Sequence, residues 1–208
     1  PARSGNRAPE KFIGKVELKD LSQFYPGMRA PIFKSLNLGF NPGSTTVITG
    51  SNGSGKTTLF NLLTGLIKPS DGSILVDDLN LEQIKPGWWR SQLLAVGQEP
   101  EFLEDTIRTN LGNTGEHVTD ADMKNALSLA GLISFIDQSN DGLDTIVGSS
   151  RTKFNLGFRK RLALARASLV NGTFVVMDEP TEGLDGMGAR IFYNFLNDQI
   201  KNKKTVLV

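Results

Sequence analysis

The residues with the clearest chemical potential form a glycine-rich loop that can bind phosphate. The pattern G-x-x-x-x-G-K-[ST] is complete in Gly50, Ser51, Asn52, Gly53, Ser54, Gly55, Lys56 and Thr57, and Thr58 follows it. Glycines let backbone N–H groups wrap phosphate oxygens, and a helix N-terminus adds partial positive charge there. The Lys56 ammonium would reach the β- and γ-phosphates, and the Thr57 hydroxyl would ligate Mg²⁺. We therefore expect the residues from Gly50 to Thr58 to bind a nucleoside triphosphate.

Two elements must hold this loop in place. The β-branched run 45–49 predicts a short buried strand before it. After it, four leucines follow the i, i+3, i+4, i+7 spacing of a helix packed on a sheet, with Gly65 near its end. These leucines are Leu59, Leu62, Leu63 and Leu66. The alternative, a glycine-rich turn that fits the pattern by chance, would leave both flanking elements unexplained.

An acidic pair supplies the second chemical element. Asp178 and Glu179 follow Phe174–Met177, a fully apolar predicted strand. A carboxylate at the carboxyl end of a parallel strand can hold Mg²⁺ through water, which is the role expected of Asp178. Glu179 could then orient or deprotonate an attacking water. Many buried strands end in an acidic turn, so the pair is informative because a phosphate loop lies upstream.

Composition and charge narrow the class of protein. The chain has 208 residues, 38% of them hydrophobic, enough to bury a core as one domain with subdomains. Its net charge of +1 gives no electrostatic case for nucleic acid as a partner. The basic runs 159–161 and 201–204 are therefore interpreted as solvated surface. Cysteine is absent, which fits a reducing compartment, and no apolar run approaches the ~20 residues of a membrane span.

Turn signals divide the rest of the chain. Period-two alternation predicts antiparallel strands over 15–21 and 36–40, and further short strands are predicted over 73–77 and 205–208. Between 99 and 152 the strand signals vanish.

Helix signals occupy that interval instead. Thr119 predicts the cap of a helix over 120–130 that Gly131 closes, and a second short helix is predicted over 132–136. A longer helix is predicted over 159–170. The pattern predicts an α/β fold: a P-loop ATPase core with a parallel sheet, an N-terminal antiparallel β subdomain and a helical subdomain insertion.

In this order the motifs resemble the nucleotide-binding domain of ABC transporters, along nearly the whole chain. The segment 178–185 is similar to that family's Walker B motif running into its D-loop, and 96–100 resembles its Q-loop. The segment 23–27 lies where the family has its A-loop, and 162–167 resembles the helix after its signature loop. Two further stretches, 106–111 and 142–148, resemble exporter-type cassettes.

The resemblance implies roles for individual residues. Gln98 would contact Mg²⁺ and the attacking water, and would link the site to a transmembrane partner. Tyr25 would stack on adenine, for which an aromatic face is suited. Glu179 joins Gln98 as a catalytic residue, and Asp185 joins the nucleotide-binding set. The implied metal ligands are Thr57, Gln98 and Asp178, and the implied cofactors are ATP and Mg²⁺.

The signature loop departs from the family pattern. In place of L-S-G-G-Q the chain has Phe154, Asn155, Leu156, Gly157 and Phe158. In the family this loop contacts the γ-phosphate of ATP held by the opposite subunit. Asn155 could still donate a hydrogen bond and Gly157 is retained, so both are assigned to nucleotide binding. Leu156 places a branched side chain where backbone should approach phosphate, and Phe158 replaces an amide. The alternative is a tolerated variant with ordinary activity.

Two other family positions differ. The family has a histidine beyond its last strand, whereas the single histidine here, His117, falls in the helical insertion and is interpreted as a surface residue. The chain ends at Val208, short of the expected position, which we interpret as truncation. Ser149 stands where exporters often carry a glutamate, so altered coupling to a membrane domain is expected.

These observations predict the ATPase domain of an exporter-like ABC transporter. Residues 1–11 are interpreted as a linker from an upstream transmembrane domain. Residues 12–208 are interpreted as the ATPase domain, truncated at its C-terminus, with a helical subdomain at about 99–157. The domain would work at the cytoplasmic face of a membrane, with the transmembrane domain of the same transporter. Its other partner would be a second nucleotide-binding domain.

The intact Glu179 and the degenerate signature loop together favour a heterodimer over a homodimer. The isolated chain is expected to be weakly active or inactive as an ATPase. A nucleotide-gated scaffold with little hydrolysis is the main alternative. The ATPase head of a DNA-maintenance protein is disfavoured because no heptad run separates the phosphate loop from the signature loop. A P-loop small-molecule kinase would leave Gln98 and Asp185 unexplained.

Overall fold

The structure, a computed structural model, describes residues 5–27, 30–113, 117–148 and 154–208. Ser149 and residues 1–4 of the predicted linker lie outside these ranges. The strands in this part of the chain are β1 (Val16–Gln23), β2 (Phe33–Phe40), β3 (Thr45–Thr46), β4 (Asp71–Val76), β5 (Leu79–Asn80), β6 (Leu93–Val96), β7 (Asp105–Thr106), β8 (Ile146–Val147), β9 (Phe174–Met177) and β10 (Thr205–Leu207).

Helices lie between several of these strands along the chain. The α-helices are α1 (Lys56–Thr64), α2 (Pro86–Ser91), α3 (Ile107–Gly112), α4 (Asp120–Leu129), α5 (Ile133–Gln138), α6 (Leu156–Ser168) and α7 (Gly186–Lys201), all within the described ranges. Short 3₁₀ helices cover Leu81–Gln83 and Gly142–Asp144. Among the residues described, none of the helices has the length and apolar character needed to span a bilayer.

The chain forms two compact units. The first comprises Pro1–Ala95, Gly172–Asp178 and Gln199–Val208. The second comprises Val96–Asn171 and Glu179–Asp198. The predicted mixed α/β fold, with one antiparallel and one parallel sheet, is confirmed.

The antiparallel sheet of the first unit has the strand order β2-β1-β4-β5. Its central strand β1 pairs with β2 through Val16 and Phe40, and with β4 through Val16 and Val76. Val16, Leu18 and Leu21 of β1 are at most 2% exposed, because one face of the sheet packs into the core of this unit. Both predicted antiparallel strands therefore form: β1 ends two residues later than predicted, and β2 begins three residues earlier.

The second sheet of the first unit has the order β3-β10-β9-β6. Strand β10 runs parallel to both β3 and β9. The carboxyl ends of β3 and β9 therefore lie at the same edge of the sheet, with β10 between them. Helix α1 packs on β9, and Phe174–Met177 is buried along its whole length, as predicted. This edge carries both the phosphate loop and Asp178.

Two sequence predictions around the loop need correction. The strand before the loop covers only Thr45–Thr46, and it is not buried: Val47 is 67% exposed and the half-buried positions are Thr46 and Ile48. The alternation means that one face of this edge segment is covered and the other is open. Helix α1 ends at Thr64, because Gly65 adopts a left-handed conformation with φ 76°, in which the right-handed helix cannot continue. Leu66 consequently lies beyond the helix and is 72% exposed.

The core of the first unit surrounds Trp89. This side chain is fully buried, and its indole N–H donates to the Leu63 carbonyl at 2.9 Å. Phe12 packs edge-on against it at 5.4 Å between ring centroids, and Phe174 lies 6.2 Å away. The contacts join α1, α2 and β9, so the helix that begins at the phosphate loop is fixed on its apolar side.

The second unit is built mainly from helices. Thr119 caps α4 through a reciprocal capping box with Asp122, and Gly131 follows the helix at φ 69°, as the sequence predicted. A separate apolar core forms here around Leu127 and Leu162. The prediction that strands are absent between 99 and 152 is wrong, since β7 and β8 pair antiparallel. Each has only two residues, too few for a period-two pattern to register.

Candidate nucleotide-binding and hydrolysis site

The phosphate loop connects β3 to α1 and keeps its backbone exposed. Gly53 and Gly55 have φ values of 79° and 101°, a region that favours glycine. The Ser54 N–H donates to the Ser51 carbonyl at 3.1 Å, which tightens the loop. The Lys56 ammonium turns back and donates to the Gly50 carbonyl at 2.8 Å. This geometry places a cation and a helix N-terminus over one concave stretch of backbone.

Gly55 also meets a steric limit. A Cβ at this position would lie 2.7 Å from Ile32 Cγ2 and 2.8 Å from Phe33 Cζ, closer than side-chain carbons approach. The start of β2 therefore presses directly on the backbone at the start of α1. The glycine is required both by its φ and by this contact, which the motif pattern alone did not indicate.

Tyr25 lies next to the first turn of α1. Its hydroxyl is 3.4 Å from the Thr58 hydroxyl, and its ring is partly exposed. Thr58 itself is buried, at 9% exposure, so it contributes to the floor beneath the loop. The structure thus brings the predicted adenine-stacking aromatic to the same unit and the same helix as the phosphate loop.

Asp178 ends β9 as a buried carboxylate. It is 5% exposed, and its Oδ2 atom accepts no hydrogen bond from any residue the structure describes. A buried carboxylate oxygen without a partner is costly, and a hard cation with its water shell satisfies such an oxygen. The observation fits the predicted role of Asp178 toward Mg²⁺, with Thr57 at the start of α1 as the second predicted ligand.

The predicted catalytic residues of the second unit contact one another. The Gln98 side-chain amide donates to Glu179 Oε2 at 3.3 Å and to Glu182 Oε2 at 3.0 Å. One amide nitrogen carries two N–H groups, so it can serve both carboxylates. Glu179 has φ 45°, an unusual conformation for a residue with a side chain. The sequence motifs predicted Gln98 and Glu179, whereas Glu182, the second carboxylate on this amide, had no predicted role.

Lys160 overturns the prediction that 159–161 is solvated surface. Its side chain has 0% exposure, and its ammonium donates to the carbonyl oxygens of Glu179 and Glu182 at 2.6 and 2.8 Å. A signal for this existed in the sequence: Lys160 shares the helical stripe of Ala163, Leu164 and Ala167, all buried. The charge of Lys160 favours an exposed position, but its place on the buried face of the helix puts it in the interior.

Asp185 precedes α7 and serves as its N-terminal acceptor. Its Oδ1 accepts from the Gly188 N–H at 2.7 Å and from the Arg161 guanidinium at 3.0 Å. These donors, the Gly188 N–H first, hold the pKa of the Asp185 carboxyl below its ordinary value. The residue predicted to touch nucleotide is thus oriented by partners within the second unit.

The signature-loop residues also have internal partners. Asn155 caps α6, with its Oδ1 accepting from the Phe158 N–H at 2.8 Å, so α6 begins three residues earlier than predicted. Phe158 stacks on Phe154 at 4.2 Å and meets Phe135 edge-on at 4.9 Å.

Two further contacts complete the loop. The Leu156 side chain packs on Gly183, where a Cβ would lie 3.0 Å from Leu156 Cδ2. Gly157 lies near the Gly183 carbonyl, at 3.5 Å from where its own Cβ would stand. The side chains that replace the family pattern are therefore absorbed into the packing of the second unit.

The predicted residues consequently fall into two groups. In the first unit the structure brings together Tyr25, the loop from Gly50 to Thr58, and Asp178. In the second unit it brings together Gln98 and Glu179, and it places Asn155, Gly157 and Asp185 around the start of α6 and of α7. His117 is exposed, as predicted. Asp178 and Glu179 are consecutive residues, so the two groups are joined through the chain.

A glycine-rich loop opening a helix, beside a parallel sheet with an acidic strand end, defines a P-loop nucleotide-binding protein. The family model described as ABC transporter matches residues 33–182. The chain belongs to the ABC transporter family. This confirms the resemblance to an exporter-type nucleotide-binding domain, and family membership implies that the chain binds ATP.

Relatives and solved structures agree with this assignment. The chain is 34% identical over 209 residues to an ATP-dependent lipid A-core flippase of Bordetella pertussis, covering 100% of this chain and 34% of the flippase. It is 34% identical over 196 residues to ABC transporter B family member 21 of Arabidopsis thaliana, covering 94% of this chain and 15% of that protein. The structure of a bacterial Atm1-family ABC exporter with ATP bound superposes with a TM-score of 0.84 at 25% identity, covering 96% of this chain and 35% of the exporter. The chain therefore spans about a third or less of these proteins.

Proposed function

We propose that this chain binds and hydrolyses MgATP to power substrate export. Lys56 would contact the β- and γ-phosphates, Tyr25 would stack on adenine, and Thr57 and Asp178 would hold Mg²⁺. Gln98 would contact the Mg²⁺ and the attacking water, and Glu179 would accept a proton from that water. The orphaned Oδ2 of buried Asp178, at the same sheet edge as the phosphate loop, is the observation that carries the proposal.

We infer that a second nucleotide-binding domain pairs with this chain, that ATP lies between the two, and that a transmembrane domain of the same transporter receives the work. The names of its relatives, an ATP-dependent flippase and an ABC exporter, support a place at the cytoplasmic face of a membrane. In such a dimer Asn155, Gly157 and Asp185 would act toward the partner's nucleotide.

One observation favours a weaker hydrolytic role as a second candidate. Asn155 and Leu156 already have partners inside the second unit, and Phe158 packs against two other aromatic rings. Side chains that already contact other residues of the same unit are poorly placed to contact a phosphate. This favours a heterodimer in which the partner supplies an intact signature loop, or a cassette that binds nucleotide as a switch.

The first test is nucleotide binding by the purified chain. Lys56→Ala should weaken MgATP affinity at least tenfold in isothermal titration, about 1.4 kcal/mol, because it removes the charge that faces the phosphates. Lys34→Ala is the matched control, since Lys34 is an exposed lysine of β2 in the same unit. Identical titration curves for Lys56→Ala and the unchanged chain would refute the assignment of the loop.

The second test separates hydrolysis from binding. ATP turnover by the chain should be slow, should rise with protein concentration if two chains must pair, and should vanish in Glu179→Gln with binding retained. Turnover that persists in Glu179→Gln would refute its role as the general base. Binding without any turnover would leave the nucleotide-gated switch as the function.

A further inference from the structure

Lys160 is a fully buried cation whose hydrogen bonds converge on one short turn. Its ammonium donates to the carbonyl oxygen of Glu179 at 2.6 Å and to that of Glu182 at 2.8 Å. A charged group removed from water is tolerated only where hydrogen bonds replace its hydration. The methylene stem lies on the buried stripe of α6, so only the ammonium at the tip of the side chain needs hydrogen-bond acceptors.

The two acceptors are the ends of the same turn. The Glu182 N–H donates to the Glu179 carbonyl at 3.1 Å, closing a four-residue turn. Glu179 begins this turn at φ 45°, a conformation that a residue with a Cβ keeps only when its surroundings impose it. The Lys160 ammonium donates to the carbonyls at both ends of this turn, so it holds the two ends together.

The side chains of the same two residues meet at Gln98. Its amide nitrogen lies 3.3 Å from Glu179 Oε2 and 3.0 Å from Glu182 Oε2. The turn therefore has its backbone fixed by Lys160 on one side and its carboxylates gathered by Gln98 on the other. A shift of the turn would move the Glu179 carboxylate, because Glu179 is the first residue of the turn.

We propose that Lys160 is a positioning residue, which holds Glu179 in its left-handed conformation and thereby aims its carboxylate. The inference rests on the proposed function in that Glu179 acts on water. Lys160 itself touches neither nucleotide nor water in this role. Its effect passes through the backbone of the Glu179–Glu182 turn.

A double-mutant cycle on stability tests the backbone link without requiring turnover. Lys160→Met keeps the length of the stem and removes the donors. Glu179→Gly removes the Cβ that disfavours φ 45°. The fall in urea midpoint caused by Lys160→Met should be smaller in the Glu179→Gly background than in the unchanged chain. Equal falls in both backgrounds would overturn the proposal, and Lys160→Gln, which retains an amide donor, replaces Lys160→Met in the cycle if that variant does not fold.

Steady-state kinetics test the catalytic consequence. Lys160→Met should lower kcat about tenfold, equivalent to about 1.4 kcal/mol, and leave KM for ATP unchanged because the phosphate loop is untouched. Lys160→Gln should recover part of kcat. Lys124→Met is the control, since Lys124 is an exposed lysine of α4 in the same unit. An unchanged kcat, or a rise in KM that accounts for the loss, would overturn the proposal.

The stability cycle and the kinetics together distinguish a failure of the Lys160 role from a failure of the proposed ATP hydrolysis. A chain that binds MgATP but shows no turnover counts against the proposed hydrolysis only, and the stability cycle then decides the role of Lys160. A chain that turns over ATP normally with Lys160→Met counts against Lys160 only.

Discussion

The substitution Phe158→Gln would restore the amide of the family signature loop, and we expect it to destabilise the protein. Phe158 lies in the first turn of α6, stacked on Phe154 with ring centroids 4.2 Å apart and planes at 15°. Phe135 meets it nearly perpendicular at 4.9 Å. The glutamine side chain would lose these ring contacts, and the rings of Phe154 and Phe135 carry no polar atom with which its amide could form a hydrogen bond.

The contacts set the size of the effect. Each well-placed aromatic pair contributes about 0.5–1.5 kcal/mol beyond its buried area, and Phe158 makes two. A fully buried phenylalanine gains about 1.5–3 kcal/mol from leaving water, of which a partly buried one keeps a fraction. The methylene groups of glutamine recover some of this area. We therefore expect Phe158→Gln to lower the free energy of unfolding by about 2–3 kcal/mol, with a fall in Tm of about 5–10 °C.

Circular dichroism during urea and thermal unfolding would measure this change. Asn155→Ser is the control, because serine keeps an oxygen that accepts the Phe158 N–H and should cost no more than about 0.5 kcal/mol. If the free energy of unfolding of Phe158→Gln lies within about 0.5 kcal/mol of that of the unchanged chain, the aromatic cluster does not stabilise α6 and the reasoning is wrong. A variant that loses stability but gains turnover would show that the signature loop exchanged activity for packing.

Two further predictions concern the nucleotide. Tyr25→Ala should cost roughly 1 kcal/mol of ATP affinity, whereas Tyr25→Trp should keep it because stacking needs a flat ring; titration of both decides, and normal binding by Tyr25→Ala would remove the adenine assignment. Asp178→Asn should weaken MgATP binding at least tenfold, about 1.4 kcal/mol. The free energy of unfolding without Mg²⁺ should stay unchanged or rise slightly, because the substitution removes a carboxylate whose buried Oδ2 has no hydrogen-bond donor among the residues that the structure describes. A loss of stability in Asp178→Asn without Mg²⁺ would contradict that account.

Local sequence was sufficient for several elements because their signals lie within a few residues. Thr119 and Gly131 mark the two ends of α4 through a hydroxyl cap and a left-handed residue. The apolar run Phe174–Met177 predicted β9 with its observed bounds. The phosphate loop was predicted from glycine spacing, which reflects backbone conformations that only glycine adopts readily.

Burial was where prediction from sequence failed. Val47 and Leu66 are apolar and were expected inside, yet both are mostly exposed. Lys160 is charged and was expected outside, yet it is fully buried. Residue type states a preference for water or for the interior, but the neighbours that cover a position come from distant parts of the chain, and the two can disagree.

The sequence by itself determined the class of this protein and the order of its chemical groups. Glycine spacing, an acidic strand end and the motifs between them are local properties, since each depends on the geometry of a short stretch of backbone. Only the tertiary structure decided how Glu179 is held, with Gln98 on its carboxylate and Lys160 on its carbonyl. Those contacts join residues 81 and 19 positions apart along the chain. Hydrogen bonds of that kind form only after separate helices and loops have packed, so no pattern within a short window encodes them.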